Sequence, residues 1–189
     1  MSMVIGLLLT GALFYLPLGA ILYLLLLPHL RRQNAPLPRR LAALALACYL
    51  ALVLFVTLLL YFISGGVQIP PNYYLYNLRP FVWITETYSM GWKAMVEQLA
   101  LNVCMFVPLG LLLPMVFASQ RRWYVTTGCC CLISLLIEVA QLFIGRSADV
   151  DDLIMNTAGA LLGYGIFQLL HRLLKKKNWW QTLLQLPPQ

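Results

Sequence analysis

Charged residues are scarce in this sequence, and their scarcity excludes most soluble folds. Only 10% of the 189 residues are charged, whereas 61% are hydrophobic. Soluble domains are typically about 25% charged and about 45–50% apolar. Six acidic residues and two histidines leave few groups for acid–base or metal chemistry, and no HExxH, GxSxG, P-loop or CxxC motif is present. The composition therefore excludes an ordinary globular enzyme. It predicts an integral membrane protein with no recognisable catalytic residues, metal site or cofactor.

The five cysteines do not form the framework of a secreted disulfide protein. They lie at positions 48, 104, 129, 130 and 131, all inside apolar stretches. An odd number of cysteines, with no pair in a hydrophilic loop, argues against structural disulfides.

Five apolar runs are long enough to cross a bilayer, which requires about 20 residues each. They are Met3 to Leu27, Leu41 to Ile63, about Met95 to Phe117, about Tyr124 to Ile144 and about Leu153 to Leu170. The first run lacks the leading positive charge of a secretory signal, so it is predicted to be a permanent span. We therefore expect an all-α, polytopic bundle of about five transmembrane helices. Residues 1–40 form the first helix and a basic loop, 41–171 a four-helix domain, and 172–189 a basic tail.

The basic residues are distributed unevenly between alternate loops. Of the 13 lysines and arginines, ten lie in one set: Arg31, Arg32, Arg39, Arg40, Arg121, Arg122, Arg172, Lys175, Lys176 and Lys177. Positively charged loops remain in the cytoplasm. The N-terminus is therefore predicted outside and the C-terminus inside, with the tail on the membrane surface. The net charge of +7 reflects topology and gives no reason to expect nucleic acid as a partner.

The long outer segment between the second and third spans is rich in aromatic residues. These are Tyr73, Tyr74, Tyr76, Phe81, Trp83, Tyr88 and Trp92. Tyrosine and tryptophan favour the headgroup layer of a membrane. We expect an interfacial belt, and a lid that contacts substrate is the alternative.

Polar residues of three predicted spans converge at one depth in the outer leaflet. Glu138 lies roughly 9 Å below the outer end of the fourth span, and Gln141 shares its helix face. Asn102 lies roughly 10 Å down the third span, and Asn156 follows one turn below Asp152 in the fifth. An acid within a membrane costs at least about 2.5–3.5 kcal/mol, which favours a function for Glu138. The candidate ligand-binding residues are Glu97, Asn102, Glu138, Gln141, Asp149, Asp152 and Asn156.

Structural roles for the same residues remain open. The amides could hydrogen-bond one another between helices, and the acids from Asp149 to Asp152 could cap the fifth helix. Asp152, Asn156, Gly159 and Gly163 fall on one helical stripe, so the polar face is also a face that admits close packing. Pro108 and Pro114 are expected to bend the third span.

The ordered set of motifs resembles the VanZ-like family over the second to fifth spans. The motifs are Asn77-Leu-Arg-Pro80-Phe81, Glu97, Asn102-Val-Cys-Met-Phe-Val-Pro-Leu-Gly110, Glu138-x-x-Gln141, Arg146-Ser-Ala-Asp149-Val-Asp151-Asp152, Asn156-Thr-Ala-Gly159 and Gly163. The resemblance maps the family's shared residues onto Asn102, Phe106, Pro108, Gly110, Glu138, Gln141, Asp149, Asp152, Asn156 and Gly159. Helix packing is expected to depend on Pro108, Gly110, Gly159 and Gly163.

The family's namesake confers low-level resistance to teicoplanin, a glycopeptide antibiotic with a fatty chain. The resemblance implies a multi-pass protein of the bacterial plasma membrane, acting where such antibiotics meet cell-wall precursors. The first hypothesis is a non-enzymatic protein that binds or shields a lipoglycopeptide or a lipid-linked wall intermediate among membrane lipids. The alternative is a membrane enzyme that uses Glu138, Asp149 and Asp152 as acid, base or cation ligands. A third hypothesis is a structural helper of another membrane protein or a homo-oligomer.

Overall fold

The computed structural model describes residues 2–60, 76–81 and 91–186. The helices are α1 (Ser2–Arg32), α2 (Leu37–Leu54), α3 (Trp92–Val116), α4 (Trp123–Phe143), α5 (Val150–Leu174) and α6 (Asn178–Leu184). A π-helical segment, Phe55–Leu59, extends α2, and a 3₁₀ turn, Ala118–Arg121, connects α3 to α4. Two short strands, β1 (Tyr76–Asn77) and β2 (Ala148–Asp149), pair in parallel.

In the described part of the chain, five helices are long and apolar enough to cross a membrane. The prediction of an all-α, multi-pass protein is thereby confirmed, while the outside position of the N-terminus stays a prediction. Several boundaries differ from expectation by three to five residues; α2, for example, begins at Leu37 rather than at Leu41. The first helix continues past Leu27 and through Pro28 to Arg32, whose charge is favourable at a helix C-terminus. The fifth begins at Val150, because Asp149 caps it.

The parallel helices α3 and α5 form the most closely packed pair of the bundle. A Cβ atom on Gly159 would overlap the carbonyl oxygen of Val103, and one on Gly163 would overlap that of Val107. On the opposite helix, Gly110 is equally close to the Ala160 carbonyl. The role predicted for these glycines in helix packing stays a prediction, which alanine substitutions at these positions can test. Helix α3 continues through both of its prolines.

Helix α2 lies between α1 and α3. On one side, Gly19 of α1 packs against the backbone of Cys48. On the other side, the Tyr49 hydroxyl donates a 2.9 Å hydrogen bond to the carbonyl of Met105 in α3. This placement brings the C-terminal half of α2 and its π segment beside the polar faces of α3, α4 and α5.

The opposite end of the bundle, which we call the basic end, is held together by two arginines. Arg39 is buried, and its Nε donates to the Val116 carbonyl at 2.8 Å. The Nη2 of Arg121 donates to the Leu184 carbonyl at 2.6 Å. Burial, and then the nearby charge of Arg39, lower the pKa of Arg121. The two cations thus interact with backbone dipoles, which join α2, α3 and α6.

Helix α6 packs against the bundle, which differs in part from the expected surface-bound tail. Trp180 is only 1% exposed, and its indole nitrogen donates to Nδ1 of His171 at 3.1 Å. Its neighbour Trp179 is 54% exposed and is the tryptophan that can reach the membrane surface.

Candidate functional site

A cavity of about 470 Å³ lies between α2, α3, α4 and α5 at the acidic end of the bundle, which is the end opposite Arg39 and Arg121. This volume is in the range of small-molecule binding sites. Its polar lining consists of Tyr49, Thr57, Asn102, Glu138, Gln141, Arg146, Asp152 and Asn156. Its apolar lining consists of Leu52, Val53, Val56, Leu101, Cys104, Met105 and Ile137. Five of the seven residues predicted to bind ligand therefore share one cavity.

The other two predicted ligand-binding residues lie outside the lining. Glu97 is exposed on α3, more than one turn before Asn102. Asp149 is half-buried in the connection before α5, where its Oδ1 accepts the Asp151 backbone N–H at 2.9 Å. Asp149 is thus a helix cap, which was the structural alternative for the acidic run.

Glu138 connects the cavity to this cap. Its side chain is 5% exposed, and its Oε2 accepts the backbone N–H of Asp149 at 2.9 Å. Among the described residues, no lysine or arginine forms an ion pair with Glu138, and its second carboxylate oxygen accepts no protein hydrogen bond. One oxygen of the acid is therefore structural and the other is available to a ligand.

The polar groups of α5 are partnered by the two preceding helices. Asp152 accepts a hydrogen bond from the Asn102 amide of α3. The Nδ2 of Asn156 donates to the Ser134 hydroxyl of α4 at 2.9 Å. Asn156 is 2% exposed, and its buried Oδ1 has no hydrogen-bond partner in the described part of the chain. Since buried amide oxygens are nearly always hydrogen-bonded, this oxygen indicates an acceptor position for a bound group.

The backbone of the π-helical segment after α2 contributes a polar group that sequence analysis missed. The carbonyl oxygen of Thr57 accepts two hydrogen bonds, one from Nε2 of Gln141 at 3.4 Å and one from Nη1 of Arg146 at 3.1 Å. Thr57 lies in the π-helical segment, and such segments often occur at functional sites. Sequence analysis could not have found this group, because a side-chain pattern does not show which backbone carbonyl belongs to a site.

A short segment of the aromatic-rich region closes over the start of α5. This segment, Tyr76–Phe81, is called the clasp. Its Asn77 amide donates to Asp149 Oδ1 at 3.2 Å, and the Phe81 N–H donates to Asp151 Oδ1 at 2.6 Å. Three of the aromatic residues, Tyr76, Phe81 and Trp92, are exposed. The other four, Tyr73, Tyr74, Trp83 and Tyr88, lie outside the described residues.

The cavity is polar at the back and apolar at the rim. Glu138, Gln141 and Asn156 are each at most 5% exposed, whereas Leu101 is 70% and Val56 is 38% exposed. Both exposed residues lie in spanning segments, one on α3 and one on the π segment after α2. The rim therefore faces the lipid-exposed side of the bundle. Such a cavity can accept an amphiphile, with its polar head inward and its apolar part outward.

Among the described residues, no three His, Cys, Asp or Glu side chains lie close enough together to hold a metal ion. The acids instead contact amides, backbone N–H groups and the cavity. The chemistry this arrangement supports is hydrogen-bond acceptance and electrostatic attraction of a positively charged group.

Comparison with known proteins identifies the family. A family model described as VanZ/LLP1 matches residues 46–171, about two thirds of the chain. The searches of curated proteins and of solved structures returned no match. The matched range runs from α2 to α5 and includes every residue that lines the cavity. The resemblance noted from the motifs is confirmed, and the chain belongs to the VanZ-like family of membrane proteins.

Proposed function

We propose that this protein binds a lipid-linked polar molecule in the cavity at its acidic end. The molecule is a lipoglycopeptide antibiotic or a lipid-linked cell-wall intermediate, and binding shields it without chemical change. The observation that carries the proposal is the division of the cavity into a buried polar wall and an exposed apolar rim. In the predicted topology the acidic end faces outward, where such ligands meet the bacterial plasma membrane.

The chemistry of Glu138 supports a role beyond joining helices. Glu138 accepts a hydrogen bond from the Asp149 N–H, and the side-chain carbonyl of a glutamine could accept the same bond equally well. A glutamine would avoid the cost of placing an ionisable acid within a span. The carboxylate is therefore explained by something other than the contact to Asp149. A ligand group in the cavity, which contacts the second oxygen, is the simplest explanation.

The test compares variants that keep the hydrogen bonds of the site but remove its charge. Glu138→Gln and Asp152→Asn are expressed in a sensitive bacterial host at membrane levels matched to the wild type. Each strain is challenged with teicoplanin and with vancomycin, which lacks the fatty chain. Glu97→Gln is the matched control, because it removes an exposed acid outside the cavity.

We expect the wild type and Glu97→Gln to protect against teicoplanin more than against vancomycin, and both cavity variants to lose this protection. Full protection by Glu138→Gln and Asp152→Asn would reject the cavity as the binding site. Absence of any protection by the wild type would reject antibiotic shielding. A ligand whose mass changes during incubation with the purified protein would favour the enzyme hypothesis instead.

A further inference from the structure

The charges around the cavity restrict the head group that it can accept. Glu138 and Asp152 are both on the lining, and Arg146 is the cationic side chain beside them. The guanidinium of Arg146 is directed to the Thr57 carbonyl. Neither carboxylate forms an ion pair with a lysine or arginine within residues 2–60, 76–81 and 91–186. The charge of Arg146 offsets part of this negative charge, because it acts on both carboxylates. Two carboxylates against one guanidinium leave the lining net negative, so a cationic head complements it better than an anionic head does.

Acceptors also outnumber donors among the groups that remain available. The second oxygen of Glu138 accepts no protein hydrogen bond in the described chain, and neither does the buried Oδ1 of Asn156. The Oδ1 of Asp152 accepts a hydrogen bond from Asn102, and its other carboxylate oxygen accepts none from the described residues. An ammonium group carries three donors and no acceptor, which matches this set.

The apolar rim shows where the chain of such a ligand leaves. Leu101 and Val56 are exposed at the rim, and Cys104 is exposed one turn further along α3. Leu52 and Met105 continue this surface into the cavity. The exit therefore lies between α2 and α3, directly toward the hydrocarbon layer. It does not require the aromatic segment that sequence analysis considered as a lid.

We infer that the cavity selects an amphiphile whose head carries a protonated primary amine and whose alkyl chain leaves between α2 and α3. This inference rests on the proposed function, because it names the chemistry of the ligand that the same cavity binds. The amine can belong to a phospholipid head group or to a lipidated peptide, and the shared chemistry is the ammonium group beside an alkyl chain.

The test measures the preference for the charged amine, so that a general loss of folding cannot imitate the result. Full-length protein in nanodiscs is titrated with dodecylamine and with N-acetyldodecylamine, and bound ligand is counted by native mass spectrometry. Because a hydrogen bond to a charged group is lost on acetylation, the amine should bind roughly tenfold more tightly or better. Glu138→Gln and Asp152→Asn should each reduce this ratio severalfold, while Glu97→Gln should retain it.

Equal binding of the two probes, or an unchanged ratio in both cavity variants, would overturn the inference about the amine. If the wild type still protects cells against teicoplanin in that case, the proposed function survives without the amine preference. If the amine preference is observed, dodecyl lysophosphatidylethanolamine identifies its source. Binding tighter than dodecylamine supports a phospholipid amine, and weaker binding supports an amine with no phosphate beside it.

The exit between the helices is tested separately. Leu101→Trp narrows the rim and should weaken both probes severalfold, leaving their ratio intact. Leu162→Trp is the control, because Leu162 is, like Leu101, an exposed leucine on a spanning helix, but it does not line the cavity. Unchanged binding to Leu101→Trp would overturn this route.

Discussion

The contact between α3 and α5 makes a quantitative prediction about three glycines on one helix. In Gly159→Ala and Gly163→Ala the new methyl group meets a backbone carbonyl oxygen of α3, at Val103 and Val107 respectively. In Gly165→Ala the new methyl group meets no atom within 4 Å. The three substitutions are chemically identical and differ only in what lies opposite.

The expected sizes follow from two opposing effects. Overpacking costs typically about 1–3 kcal/mol, and a backbone carbonyl cannot move aside as a flexible side chain can. Replacing glycine by alanine inside a helix gains up to about 1 kcal/mol from helix propensity. Gly159→Ala and Gly163→Ala should therefore lose about 1–2 kcal/mol of unfolding free energy, whereas Gly165→Ala should be unchanged or slightly more stable.

Unfolding of the full chain in mild detergent, followed by tryptophan fluorescence during titration with sodium dodecyl sulfate, measures these differences. The reasoning depends on contrast within one helix, so a general effect of mutation cannot produce the expected pattern. Equal stability of all three variants would refute the close approach of α3 and α5. Destabilisation by Gly165→Ala alone would place a different face of α5 against the bundle.

Three further predictions use the same unfolding measurement. Asp149→Ala should cost about 1 kcal/mol through the lost helix cap, while Asp149→Asn, which can still cap, should cost much less; equal losses would contradict the capping role. Trp180→Ala should cost about 3–5 kcal/mol and expose α6 to proteases, unlike Trp179→Ala, and resistance of both variants would show that α6 is not packed. Arg39→Met should cost about 1–3 kcal/mol because the buried carbonyl of Val116 loses its donor, and wild-type stability would exclude that contact.

The five spans could be predicted because a long apolar run has few alternatives to a spanning helix. The convergence of Asn102, Glu138 and Asp152 could also be inferred, since helix direction and rise fix the depth of a residue in a span. In the structure these residues line one cavity. Glu97 shows the limit of the argument, because depth alone does not say which way a side chain faces.

Other parts of the site depend on contacts that no single segment encodes. The carbonyl of Thr57 becomes a partner of Gln141 only because the π-helical segment after α2 lies beside α4. The clasp is similar, since the pairing of residues 76–77 with 148–149 joins segments distant in sequence. Apolar sequence predicts that a helix is buried in lipid or protein, but it does not say against which neighbour.

The partners of α5 also bear on how the protein is made. Among the candidate spans, α5 has the lowest mean hydropathy, 1.4, compared with 1.8 to 2.6 for the others. Its polar groups Asp152 and Asn156 bond to Asn102 and Ser134, which precede it in the chain. A polar group left alone in hydrocarbon costs several kcal/mol. Because synthesis proceeds from the N-terminus, the candidate span least able to enter a membrane by itself emerges after the residues that receive it. The order of the helices along the chain is therefore also a workable order of insertion.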